Sequence, residues 1–309
     1  MKRLLPLLLI LFILSSCDLS ILQVIDGEKA AEDRNTFMIQ EALESPTSFS
    51  LLLVADIHFD RYDNGVYYRN DQFLDWIQEN QSDFPNLDTM ICLGDVTENS
   101  FPKEFNKYAT FRNDLIERTN IREVLTIKGN HDIRPGTNHM ADWKNIIRQP
   151  EYQAIAYKGI SFYLLNTANR TLGKIQLKEL QEATKQDPRP KIFFSHMPLY
   201  GKPSLVYFAL QDNQEREEII SLLVRRRGML FLAAHHHQGD VLYPFTPTTT
   251  EFILGAFHGR DSLFEQTKPR WYILDLDAEA QEIKIIRYQV EPDANKPSRK
   301  VMATLHVTL

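Results

Sequence analysis

Cysteine is nearly absent: Cys17 and Cys92 are the two in a chain of 309 residues. A disulfide framework and a thiolate-rich zinc site are both excluded as sources of stability. Glycine (12) and proline (15) are scattered, and no tract of either breaks the chain between Phe49 and Val290. Collagen-like and low-complexity architectures drop out. Positive charge is short: 35 Lys and Arg stand against 41 Asp and Glu, a formal charge of -6. Setting aside Lys2 and Arg3, which precede the first apolar run, leaves 33 against 41, or -8. Phosphate backbones are held by Lys and Arg through counterion release, so nucleic acid is not an expected partner. Long apolar runs are also missing. The longest, Leu4 to Leu14, has about half of the ~20 residues that span a bilayer.

What is present is an ordinary globular composition, 43% hydrophobic and 25% charged, able to bury one large core. At the N-terminus Lys2 and Arg3 precede the apolar run, and Leu14-Ser15-Ser16-Cys17 follows it. This order predicts a signal peptide over residues 1–16. Leu-Ser-Ser-Cys resembles the bacterial lipoprotein lipobox, which implies cleavage before Cys17 and its acylation; an ordinary secretory signal with Cys17 incidental is the alternative. Two or three acyl chains would anchor the protein stably to a membrane. The expected location is the cell envelope outside the cytoplasm, with residues 17–48 as lipidated N-terminus and tether and a short helix near Thr36 to Leu43. Cys92, within the apolar Thr89 to Leu93, is expected to be a small buried hydrophobe.

From Phe49 onward, apolar runs of strand length alternate with amphipathic helical stretches. Strands are predicted at Ser50 to Val54, Thr89 to Leu93, Val124 to Lys128, Lys191 to Phe194 and Met229 to Ala233, and a hairpin around Lys158-Gly159. Helices are predicted at Asp71 to Asn80, from Pro102 through Leu115, at Ile175 to Ala183 and at Glu215 to Arg225. The later residues, from Val241 to Val290, read mostly as strand. One α/β domain over residues 49–292 fits, with two mixed sheets and helices outside. Residues 293–309 form either an edge strand near Val301 to Val307 or a trailing tail.

The polar residues that carry chemistry follow the strands. Leu51 to Ala55 lead into Asp56-Ile57-His58, and Met90 to Leu93 into Gly94-Asp95. Val124 to Lys128 lead into Gly129-Asn130-His131-Asp132, Ile192 to Ser195 into His196, and Leu230 to Ala234 into His235-His236-His237. In open α/β sheets ligands gather beyond the carboxyl ends of strands, so these groups are expected on one rim. Asp56 and His58 are two apart, as are His235 and His237; on extended backbone each pair points to one side. Oxygen and imidazole donors without thiolate favour Mn, Fe, Zn or a mixed pair. Singly, Asp95 reads as a helix N-cap and Asn130 as a turn residue; jointly the five groups point to metal.

These residues resemble the calcineurin-like metallophosphoesterase family, whose pattern is D-x-H, G-D, G-N-H-[DE], H and G-H-x-H in that order. The resemblance implies two mixed β-sheets packed as a sandwich and flanked by helices. It implies a first metal on Asp56, His58 and His237, a second on Asn130, His196 and His235, and Asp95 bridging them. A hydroxide between the ions would attack a phosphomonoester or phosphodiester. His131 would stabilise the phosphoryl group or protonate the leaving oxygen, with Asp132 orienting it. Two departures stand out. Ala234 replaces the Gly before the paired histidines, where a small distortion is expected. Glu98 stands where purple acid phosphatases carry a Tyr ligand, which argues against that subtype. His236 is expected at the surface or in packing, and His139 and His258 on loops outside the site, with the rim of the pocket the alternative for His258. Arg225-Arg226-Arg227 reads as a solvated helix end, and the stretch from Tyr200 to Tyr207 as a substrate lid. The rival function is a lipoprotein that keeps the fold as a binding or structural module; a nuclease would need a basic groove.

Overall fold

Phe49–Val54 (β1) is apolar at all but one of its six positions, and every one of them is buried. That pattern belongs to a strand with both faces covered. The structure, a computed structural model, describes residues 37–61, 70–199, 209–261, 266–291 and 296–309. The signal segment, Cys17 and the predicted lid from Tyr200 to Tyr207 lie outside these residues.

After β1 the chain forms α1 (Asn70–Asn80), β2 (Leu87–Cys92), α2 (Pro102–Arg118), β3 (Glu123–Thr126) and a short α3 (His139–Asp142). Next come β4 (Gln153–Tyr157), β5 (Ile160–Leu164), α4 (Gly173–Gln186), β6 (Lys191–Phe194), α5 (Asn213–Arg225) and β7 (Gly228–Ala233). The remainder is β: β8 (Val241–Thr246), β9 (Thr249–Ile253), the small pair β10 (Arg260–Asp261) and β11 (Gln266–Thr267), β12 (Arg270–Asp277), β13 (Glu282–Gln289) and β14 (Ser298–His306). One six-stranded sheet has the order β14-β13-β12-β1-β2-β3, the other β4-β5-β6-β7-β9-β8. β1, β2 and β3 run parallel, as do β5, β6, β7 and β9. Antiparallel strands complete each sheet. The chain after Pro292 thus supplies the edge strand of the first sheet.

Alternation along the strands builds three apolar layers. Leu51 and Leu53 face Phe162, Leu164, Phe194 and Leu232 between the sheets. Leu52 and Val54 point the other way, toward Phe73, Phe105, Tyr108 and Phe111 of α1 and α2. Tyr163, Phe193 and Phe231 meet Leu180, Ile219 and Leu223 of α4 and α5 on the outside of the second sheet. The result is a helix–sheet–sheet–helix sandwich, in which the parallel strands end on a shared rim. Cys92 is fully buried, and burial pushes its thiol pKa well up, as expected of an inert core residue.

Residues 37–48 depart from the expected tether. No helix forms over 37–43. Phe37 is instead buried against Tyr152 and Tyr163, with ring centroids 4.8 and 5.7 Å away. Arg189 Nη2 donates to the carbonyls of Glu41 (2.6 Å) and Ala42 (3.2 Å), and Thr47 N donates to Lys158 O at 3.1 Å. The segment is a strap laid over the second sheet, fixed by an aromatic anchor that no local periodicity announces.

Candidate metal centre

Each expected group does lie just past its strand, but the backbone there is not extended. Asp56, His58, Asp95, His235 and His237 all have positive φ, at 52, 51, 52, 70 and 32°. Left-handed backbone is uncommon for residues other than glycine and concentrates at functional sites. The D-x-H and H-x-H pairs therefore reach the rim by tight left-handed bends rather than by strand alternation. Two glycines make room. Gly94 has φ 87°, and a Cβ there would lie 2.6 Å from Gly129 N. Gly129 has an ordinary φ of -107°, but a Cβ on it would lie 2.1 Å from Asp95 Oδ1.

The side chains converge in two groups that share Asp95. Asp56, His58, Asp95 and His237 bring donor atoms within 4.8 Å of one another, and so do Asp95, His196 and His235. Asp95 Oδ1 accepts the His131 backbone N–H at 2.7 Å. Its Oδ2 lies 3.6 Å from His58 Nε2 and 3.3 Å from His196 Nε2, between the groups. Asn130 Oδ1 is 3.1 Å from His196 Nε2, and His58 Nε2 is 3.2 Å from His237 Nε2. His196 Nδ1 donates to Leu93 O at 2.8 Å, which leaves Nε2 as the donor atom facing the centre.

The electrostatics suit cations. Asp56 Oδ1 and Oδ2 and Asp95 Oδ2 are buried and make no hydrogen bond. Burial, with the Asp95 charge nearby, pushes the Asp56 carboxyl up to about 8. For Asp95 burial acts upward too, but His196 and His131 outweigh it and hold the carboxyl well below its usual range. Burial and neighbouring imidazoles keep His58 and His235 well below the usual imidazole range, in the neutral form that ligates metal. Burial opposes the charge on His196, yet Asp95 and Asp56 hold its pKa up at about 9. Buried carboxylate oxygens without partners beside the neutral imidazoles of His58 and His235 fit bound metal cations.

Three placements differ from expectation. Asp132 does not reach the His131 ring; its carboxylate accepts from Thr97 N, Thr97 Oγ1 and Gly129 N, each at 2.9 Å. The His131 ring instead has Nδ1 2.8 Å from Glu98 O, with Arg134 Nη2 2.7 and 2.8 Å from its two nitrogens. Glu98 also approaches the ligand group, with Oε2 2.8 Å from His58 Nδ1. His258, expected outside the site, is buried in it, with ring centroids 5.0 Å from His58 and 4.7 Å from His237. A signal was available: Ile253-Leu254-Gly255 repeats the strand-then-glycine pattern of the other groups. His236 is buried behind the loop, and the Ala234 methyl packs into the core between the sheets.

The calcineurin-like phosphoesterase family model matches residues 49–239. No protein of curated function matches the chain. Among solved structures, the purple acid phosphatase of yellow lupin (Lupinus luteus) seeds is similar at 12% identity, covering 84% of this chain and 54% of that one, with a TM-score of 0.58. GAP50, the anchor in the inner membrane complex of Plasmodium, is similar at 13% identity over 85% and 90%, with a TM-score of 0.51. Vps29 of Entamoeba histolytica matches at 15% identity over 82% and 99%, with a TM-score of 0.45. At these identities the likeness is one of fold, and the chain spans about half the length of the lupin phosphatase.

Proposed function

Because this chain belongs to the calcineurin-like phosphoesterase family, we propose that it hydrolyses a phosphomonoester or phosphodiester at a centre of two divalent or trivalent ions of Mn, Fe or Zn. One observation carries the reading: Asp95 Oδ2 stands between His58 Nε2 and His196 Nε2, shared by two donor groups. Asp56, His58 and His237 would hold the first ion and Asn130, His196 and His235 the second, with Asp95 available to both. Bound there, the ions supply Lewis acidity to the phosphoryl oxygens and lower the pKa of the attacking water.

The chain's own residues do the rest. The left-handed bends and buried walls hold the donors ready, so little reorganisation is left for the reaction. His131 lies at the rim with its side chain partly exposed. His131 Nδ1 donates to Glu98 O, so Nε2, which Arg134 Nη2 approaches at 2.8 Å, would face the phosphoryl group or, in the protonated ring, hand a proton to the leaving oxygen. Arg134 adds fixed positive charge at the same edge. Asp132 acts further back, by holding the two loops that carry Asp95 and Asn130. The setting belongs to the same proposal: removal of residues 1–16, acylation of Cys17 and a membrane-tethered enzyme outside the cytoplasm.

The test strips the protein of metal, reloads it with Mn²⁺ and assays bis(p-nitrophenyl) phosphate beside p-nitrophenyl phosphate. Turnover that needs metal and is lost in Asp95→Asn and His131→Ala supports the mechanism; the better ester separates diesterase from monoesterase. Two bound metals with no turnover on either ester would favour a highly selective enzyme or the binding module, and no bound metal would overturn the site. For the anchor, labelled fatty acid incorporated by the parent should be absent from Cys17→Ser.

A further inference from the structure

We infer that His258 is an additional protein ligand of the first metal site, giving that site three imidazoles beside its carboxylates. The inference rests on the two-metal reading and concerns a residue outside the five sequence groups. His258 follows β9, whose parallel pairing with β7 brings its carboxyl end to the same rim. The segment is then fastened to both loops that carry the first group. Phe257 N donates to Ala55 O at 2.8 Å, and Ala256 N donates to His237 O at 2.8 Å. His258 itself donates from Nδ1 to Asp56 O at 2.8 Å.

That last bond sets the chemistry. An imidazole whose Nδ1–H is held by a backbone carbonyl presents Nε2 as its electron-pair donor, the arrangement that orients metal-ligating histidines. The ring is 2% exposed, so it is placed by the fold rather than by solvent. It stands nearly perpendicular to both His58 (85°) and His237 (89°). His58, His237 and His258 each offer a ring nitrogen within 4.8 Å of the others. The His58–His237 pair is thus flanked by Asp56 and Asp95 in one grouping and by His258 in another. A third nitrogen donor shifts such a site toward metals that imidazole suits, such as Zn and Fe, and away from all-oxygen preferences.

The test is metal binding rather than turnover. The parent and His258→Gln are titrated with Zn²⁺ and with Mn²⁺ by calorimetry, with circular dichroism and thermal unfolding confirming the fold of the variant. Loss of outer partners of a ligand already weakens metal about 10–100-fold. Loss of a direct ligand is expected to weaken one of the two Zn²⁺ equivalents by about 100-fold or more. The other equivalent should stay unchanged, and Mn²⁺ should be affected less. Unchanged Zn²⁺ affinity in a folded variant overturns the inference while leaving the two-metal reading intact; a parent that binds fewer than two ions overturns both. A measurement on the unmodified protein guards against misfolding. Loaded with Co²⁺, it should show five paramagnetically shifted imidazole N–H signals, from His58, His196, His235, His237 and His258, and four would overturn the assignment.

Discussion

Asp132 holds Thr97 twice, accepting from its backbone N–H and from its hydroxyl at 2.9 Å each, and takes the Gly129 N–H with the same carboxylate. The loop after β2 and the loop after β3 are thereby stapled beneath the centre. Asp132→Ala leaves buried donors without acceptors, at about 1–3 kcal/mol for each. The expected outcome is a lower denaturation midpoint together with weaker metal binding. The acid and alkaline limbs of the activity profile should not move. A shifted limb with unchanged stability would restore Asp132 as the partner of His131.

Gly129→Ala tests how tightly Asp95 is seated. The added methyl would meet Asp95 Oδ1 at 2.1 Å, so the carboxylate must rotate or the loop must retreat. Either movement takes Oδ2 from between His58 and His196. Metal stoichiometry should fall below two, and kcat/KM should drop by about 10–100-fold, the scale of disturbed ligand support. Full stoichiometry with parental kcat/KM would contradict this geometry.

Glu98 places a carboxylate beside His58, in charge contact and not in an aligned hydrogen bond. Its Oε2 is 2.8 Å from His58 Nδ1, with Arg61 Nε 3.9 Å away. Negative charge this close to a ligating imidazole favours a bound cation by Coulomb attraction. Glu98→Gln should weaken the first metal by about 10–100-fold in a calorimetric titration while the thermal midpoint hardly changes. Equal affinities would mean that Glu98 serves only as a neighbour of His131.

A pH effect is expected far from the centre. Glu215, in the first turn of α5, accepts from Leu172 N at 2.8 Å, Gly173 N at 3.2 Å and Thr171 Oγ1 at 3.1 Å, capping the start of α4. Burial outweighs these bonds and pushes its carboxyl from 4.5 up to about 7. A raised folded-state pKa stabilises the fold fully below the unfolded value of 4.5, and that contribution is lost as pH rises through about 7. The loss is bounded at about 3 kcal/mol. Urea denaturation at pH 4.5 and pH 8 should show a smaller fall in Glu215→Gln than in the parent. Parallel curves would exclude the linkage.

What the sequence made visible follows from burial. The parallel strands are covered on both faces, so β1, β2, β6 and β7 appear as continuous apolar runs, and their polar successors stand out as groups. The left-handed bends at Asp56, His58 and Asp95 left no mark, because φ is set by tertiary contacts and these residues are not glycine. His258 stands alone in its group, and one histidine after a strand has many ordinary explanations. The bond pattern of Asp132 depends on how two distant loops meet, which no spacing encodes. The strap from Phe37 is fixed by Tyr152 and Tyr163, more than a hundred residues later.

The left-handed donors have a consequence for how this protein could change over generations. Each of the five sits in a conformation that costs of order 1–3 kcal/mol, and Asp56 and Asp95 add buried oxygens with no hydrogen bond of their own. On the proposed metal-binding role, the centre is a burden on folding that bound cations would offset. In a lineage that no longer used the site, exchange of these residues for glycine or small apolar ones would raise stability, one step at a time. Drift runs downhill away from this arrangement, and keeping all five strained donors together requires that the loaded centre be worth more than the stability it forgoes.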